Sequence, residues 1–242
     1  MSRNIRGVAM ILAVVATLAS SCSGDSGELA PLQAELGVIL SAASDAMGEV
    51  DTVAFSIRRA GAPIYIDPAD LLEFRSAEGH FAGPSSADAV VTITVGGLDT
   101  RIGAVAIEGQ MWLSNPVTGA WEPAPSSFAF DPATLFDPQL GWRPLLASGL
   151  DDGELVGTED TAGAVAYHVR AIAAATRVEV MTAGLVRDQN VLVDLWLDQV
   201  TGRVLRAEFP TEADGATSQW TLSFNGYGTE VSIDPPDLAS GG

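Results

Sequence analysis

Residues 89–95 read AVVTITV. In an extended chain successive side chains point to opposite sides, so Val91, Ile93 and Val95 share one face and Thr92 and Thr94 the other. That alternation predicts a strand with one side in an apolar core and one in water. The stretch 52–60, TVAFSIRRA, repeats it: Val53, Phe55 and Ile57 alternate with Thr52, Ala54, Ser56 and Arg58. Gly96-Gly97, Gly109-Gln110 and Thr118-Gly119 supply turns between neighbours. Strands are expected near 52–60, 71–80, 89–96, 100–108, 110–115 and 119–122. Links this short join antiparallel neighbours, since parallel strands need crossovers of about a dozen residues or more.

Before these strands, residues 31–50 place Leu32, Leu36, Ile39, Leu40, Ala43 and Met47 at helical spacing. Pro31 suits a first turn and Gly48 an end. After them, Pro123, Pro125, Pro132, Pro138 and Pro144 forbid a continuous strand. Within that stretch FDPATLF and PQLGWRPLLASGL predict short helical turns carrying Leu135, Phe136, Leu140, Trp142, Leu145 and Leu146. A segment so apolar belongs across the sheet or over the mouth of a cavity.

Period two resumes in ELVGTED and AVAYHVRAIA, with Asp151-Asp152-Gly153 read as a turn before them and ATRVEVMTAGL as a short helix after them. Val191, Val193, Leu195 and Leu197 then alternate with Leu192, Asp194, Trp196 and Asp198, and Thr201-Gly202 forms a turn. Leu205, Phe209, Trp220, Leu222, Phe224, Val231 and Ile233 are expected to extend the inner face. Residues 237–242 are expected to fray.

The N-terminus reads as an export signal. Arg3 and Arg6 precede the apolar run Val8–Ala19, and small residues follow up to Cys22. Twelve helical residues rise only about 18 Å, too short for a bilayer core of about 30 Å. LASSC, residues 18–22, is similar to the processing site of bacterial lipoproteins, although Ala19 holds the place where leucine is usual. Cys22, the single cysteine, stands where the acyl anchor is attached. Residues 1–21 are therefore read as signal peptide and 22–30 as a lipidated flexible tether. The motif GDSG at 24–27 resembles the surroundings of a protease serine, but neither histidine precedes Ser26, and no base or orienting group lies upstream. It is read as linker.

The chain of 242 residues has 12 basic residues, all arginine, against 31 acidic ones, for a net charge of −19. Phosphate backbones would repel it, which argues against nucleic-acid binding. One cysteine excludes an intrachain disulfide. His80 and His168 are far apart in sequence and read as structural, so no metal site is expected. No glycine-rich phosphate loop occurs, nor any pattern that singles out a pair of carboxylates. The expectation is a non-enzymatic protein without a cofactor.

The order of these features resembles the LppX/LprA/LprF/LprG family of mycobacterial lipoproteins. The features are the cysteine junction, tether, amphipathic helix and meander, then DPATLFDPQLGWRPLL, YHVRAIAAATRVEVM, VLVDLWLDQVTGRVLRAEF and WTLSFNGYGTEVSIDPP. The resemblance spans the whole mature chain. It implies an α+β fold over residues 31–236: one curved antiparallel sheet, a half-barrel, packed against helices around a hydrophobic cavity, similar to the bacterial lipoprotein-carrier fold. It implies a protein anchored through Cys22 on the outer face of the cell membrane. There it would carry a multi-acyl lipid, glycolipid or lipoglycan across the envelope, beside an efflux-type membrane transporter. Strand parity within that frame nominates Val53, Phe55, Ile57, Val91, Ile93, Val95, Val193, Leu195, Leu222 and Phe224 as cavity lining. Arg58 and Arg101 are candidates for headgroup contact. The competing expectation is an anchored interaction module or transporter accessory subunit whose core is filled.

Overall fold

A computed structural model describes residues 26–125, 128, 130–213 and 215–238; the signal segment and Cys22 lie outside them. The alternating stretches pair as read. Strands β1 (Thr52–Gly61), β2 (Glu73–Ala82), β3 (Ser86–Val95), β4 (Leu98–Ile107), β5 (Gln110–Ser114) and β6 (Trp121–Pro123) form one meander. Strands β7 (Leu150–Thr161), β8 (Ala164–Ala173), β9 (Val191–Asp198), β10 (Val204–Ala213) and β11 (Ala216–Asn225) form a second. The two meanders join only where β1 lies antiparallel to β11, giving a single 11-stranded sheet that is curved and unclosed, with β6 and β7 as its edges.

That junction sets the core. Phe55 pairs with Phe224 and Ile57 with Leu222, so the apolar parities of both meanders meet on the same side. Helix α1 (Ser26–Gly48) covers this side with the short helices α2 (Trp142–Ser148) and α3 (Ala175–Met181) and a 3-10 turn at Pro132–Phe136. Leu36, Ala43 and Met47 of α1 are buried in the resulting cluster. Tyr227, just past β11, fastens the two layers: its hydroxyl donates to the Val204 carbonyl and lies against Met47 Sδ. Burial raises the hydroxyl's pKa above the usual tyrosine range.

Several sequence expectations shift. Helix α1 begins at Ser26, so residues 26–30 are helical, and Pro31 lies in the second turn rather than the first. Asp151–Gly153 is no turn but part of β7; the register slips between Asp151 and Glu154 and Asp152 takes φ 50°, the geometry of a bulge. Leu205 leaves the inner face because a register shift between Val204 and Arg206 hands that face to Val204 and Ala207. Val231 and Ile233 lie beyond the last strand, half-buried in irregular chain. Leu238, expected to fray, forms a parallel bridge with Trp121 on the β6 edge.

One end of the inner face is polar. Arg59 continues the parity of Val53, Phe55 and Ile57, and its side chain is 0% exposed. Its guanidinium donates to the carbonyls of Phe74 (2.8 Å), Gly61 (2.9 Å) and Ala62 and pairs with Glu73. Full satisfaction is the condition for keeping a charge there. Replacing Arg59 by Met takes the side-chain donor from the Phe74 and Gly61 carbonyls and the ion-pair partner from Glu73. Chemical denaturation of this variant is expected to show a loss of about 3–5 kcal/mol, the cost typical of breaking a buried ion pair from one side.

Candidate functional site

The nominated lining residues fall into two groups. Val53, Phe55, Ile57, Val91, Ile93, Val193, Leu195, Leu222 and Phe224 are each at most 3% exposed and belong to one contiguous cluster. Val95 sits at the last position of β3, paired with Leu98 across the hairpin, and is 40% exposed. Arg58 and Arg101 point to the opposite face of the sheet, Arg58 pairing with Glu78 at 3.1 Å. They cannot meet a ligand on the inner face. The arginine that does face inward is Arg59; its place in the Val53–Phe55–Ile57 alternation was the available signal.

The inner face is covered by the proline-rich middle of the chain. Phe136 stacks on Phe81 at 4.6 Å and meets Phe224 edge-on at 5.8 Å, and Trp142 meets Phe224 at 5.3 Å. Phe130 stacks on Phe74 at 5.5 Å, which in turn stacks on Trp220 at 5.7 Å. Leu135, Leu145 and Leu146 are buried among them. Residues 130–146 thus occupy the sheet with side chains rather than leaving its face open. Leu135, Trp142, Leu145, Val180 and Met181 line a shallow crevice between α2 and α3 that has no room for a water molecule.

What attaches this covering segment differs from what attaches a strand. The Asp131 N–H donates to Ala183 O at 3.1 Å, Ser44 Oγ donates to Arg143 O at 3.0 Å, and Arg177 donates to Leu140 O at 3.0 Å. Among the described residues, no hydrogen bond runs from segment 130–146 to a strand of the sheet. The Trp142 indole N–H, buried against that sheet, has no acceptor. The segment meets the strands through apolar contact alone.

Its entry point carries a titratable group. Asp131 caps the 3-10 turn, accepting from the Ala133 N–H at 3.0 Å. Burial raises its carboxyl above the ordinary pKa of 3.8, and the Ala133 hydrogen bond opposes that rise. The folded chain therefore binds this proton more readily than the unfolded one. Stability falls as pH rises from the ordinary carboxylate range through the raised value. Asp131→Asn keeps an acceptor for the cap without the charge. Urea titrations between pH 4 and 7 should show a flatter pH dependence than the wild type and higher stability at neutral pH.

With this geometry in place, comparison with known proteins is informative. The model of the LppX_LprAFG lipoprotein family matches residues 35–233. The chain belongs to that family. Among solved structures, LprF from Mycobacterium bovis superposes with a TM-score of 0.65 at 15% identity, covering 84% of this chain and 97% of that one. The Mycobacterium tuberculosis lipoprotein LppX gives 0.58 at 15% identity, covering 83% and 99%. At such identity these structures speak for the fold of the LppX_LprAFG chain: the unclosed sheet with its helices on one side. No curated protein matches it by sequence.

Proposed function

We propose that this lipoprotein is a membrane-anchored lipid carrier, without catalytic activity, that takes acyl chains onto the inner face of its sheet by displacing segment 130–146. The observation that carries the reading is the purely apolar contact between that segment and the strands. Exchanging aromatic side chains for methylenes at such a surface breaks no hydrogen bond to a strand; the bonds at stake are those that Ala183, Ser44 and Arg177 make with the segment. The magnitudes are compatible: an aromatic pair contributes about 0.5–1.5 kcal/mol beyond its area, and each buried methylene about 0.8 kcal/mol. A handful of methylenes offsets the loss of one stacked ring.

The cargo class that suits this face is a multi-acyl lipid or glycolipid whose polar head stays outside. Arg59 is already saturated by Phe74, Gly61, Ala62 and Glu73 and offers little to a headgroup. With a strongly acidic chain lacking lysine, a neutral or sugar-bearing head is favoured over an anionic one. Acylation of Cys22 would hold the protein at the outer face of the cell membrane, since two or more acyl chains make a stable anchor. Delivery across the envelope, beside an efflux-type transporter, completes the proposal. The filled inner face also favours a second reading, an anchored interaction module or transporter accessory subunit in which the segment never leaves.

Mass spectrometry of organic extracts from the exported Cys22→Ala chain separates them. A carrier yields a defined multi-acyl lipid near one per protein, whereas an interaction module yields none and takes up none when offered. Ile93→Trp sharpens the contrast. In a carrier it abolishes most of the loading, and overpacking against the covering segment costs about 1–3 kcal/mol. If loading persists unchanged in this variant, the inner face is not the lipid site.

A further inference from the structure

The covering segment holds a polar atom that nothing in the closed protein uses. Trp142 is the first residue of α2 and is 2% exposed. Its place is fixed from behind: a Cβ added at Gly141 would lie 2.3 Å from the Leu135 carbonyl oxygen, so only glycine lets α2 start this close to the preceding turn. In front, its ring meets Phe224 edge-on at 5.3 Å. The indole N–H reaches no acceptor. The crevice that Trp142 lines with Leu145 and Met181 has no room for a water to supply one. A phenylalanine could make an edge-on contact of the same kind without burying a donor.

The other donors on this side are taken. Trp220 Nε1 donates to Thr211 Oγ1 at 2.9 Å, Thr182 Oγ1 to Val178 O at 2.9 Å, and the Tyr227 hydroxyl to Val204 O. Arg59 is saturated at the polar end. Among the described residues one further buried indole lacks an acceptor, that of Trp196, and it lies on the outer face between His168 and Arg206. Trp142 thus carries the unpaired donor of the inner side. Such a donor calls for a ligand atom that accepts and has no proton to give, in a molecule otherwise apolar. An ester carbonyl fits that description. We propose that the Trp142 indole N–H is the hydrogen-bond donor for an ester carbonyl of the acyl cargo, so that the protein selects ester-linked chains over ether-linked ones. This inference rests on the carrier reading and names the linkage that the carrier recognises.

In the closed protein the indole N–H has lost its water partner and gained none, a cost that the ring contacts with Phe224 offset. When segment 130–146 lifts from the strands, Trp142 moves with it and the N–H turns to the space that the acyl chains fill. An ester carbonyl drawn into that space has also left water behind. Each group is costly alone, and one hydrogen bond satisfies both. The bond forms in surroundings of low polarity, where it is stronger than in water. An ether oxygen lacks the carbonyl dipole and gives the donor a poorer partner. Apolar burial, common to both linkages, supplies the affinity, and Trp142 supplies the choice between them. The bond exists only in the loaded state, so it favours loading over closure.

The test compares dioleoylglycerol, whose chains are ester-linked, with dioleylglycerol, which carries the same chains on ether oxygens. Each is titrated into the exported Cys22→Ala chain after bound lipid is removed, and into the same chain carrying Trp142→Phe. The ester is expected to bind the chain with Trp142 ~10-fold more tightly than the ether, the scale of one hydrogen bond to an otherwise unpaired donor. In Trp142→Phe the two affinities are expected to converge. Because the readout is a ratio, a change in how firmly the segment rests on the sheet cancels from it. A second measurement needs no substitution at Trp142. With 15N-tryptophan labelling, its indole proton, assigned by through-space contact to the Phe224 ring, is expected to move downfield with the ester and not with the ether. The indole of Trp220, already bonded to Thr211, serves as the reference. Equal binding of both lipids, or a preference that survives in Trp142→Phe, overturns the donor role and leaves the carrier reading standing. Binding of neither overturns the carrier reading and this inference with it. An indole proton already at a hydrogen-bonded position before lipid is added overturns the unpaired donor itself.

Discussion

Everything on the inner side of this protein depends on one row of backbone pairing, β1 against β11. The two meanders are each local, built by hairpins between consecutive strands. Nothing within either one fixes where the other lies. The pairs Phe55–Phe224 and Ile57–Leu222 do so, across more than 160 residues of chain. A one-residue slip there would turn the apolar face of one meander to solvent while the other stayed inside. The register is held from within by rings: Phe224 by Phe136 and Trp142, and Trp220 by Phe74 and Phe209.

A sheet of this size that does not close on itself leaves a wide apolar face to be covered. Here one long helix and a proline-interrupted segment share the task. Prolines explain why the segment is broken into short turns, and capping by Asp131 explains where the first of them starts. Because these pieces carry their own internal hydrogen bonds, their union with the strands is side chain on side chain. This distinguishes the covering segment from Arg59 at the polar end, where the guanidinium ties β1 to the β2 backbone and to the chain beyond β1. The same face thus has one end tied by hydrogen bonds and a middle joined to its cover by apolar contact.

The outer face follows different rules. It is an open antiparallel surface, and its polar residues are arranged in cross-strand pairs, Arg58 with Glu78 and Arg170 with Asp194. Around Trp196 this surface is nearly closed to solvent, at 7% exposure. There an indole is flanked by an imidazole on one side and a guanidinium on the other. The cluster lies next to the irregular edge strand, where backbone pairing is least regular.

Much of this architecture was legible in the residues themselves. Period-two alternation identified the strands of both meanders and assigned nine of ten nominated positions to the buried face, because which side a strand residue takes is a local property of the backbone. The covering role of residues 130–146 followed from prolines mixed with leucines and aromatics. Local pattern could not foresee the slip that displaced Leu205 or the bulge at Asp152, since a single extra residue reverses parity without any mark in composition. Nor could it separate Arg58, turned outward, from the buried Arg59 until the alternation was followed one step further. The sequence by itself determined the strands, their faces and the apolar cover. Tertiary structure alone decided that β1 meets β11, that Phe136 and Trp142 rest on Phe224, and that His168 stands between Glu159 and Asp194. Most of those contacts join residues tens to more than a hundred positions apart, and their formation depends on the assembly of the whole sheet rather than on any local preference of the chain.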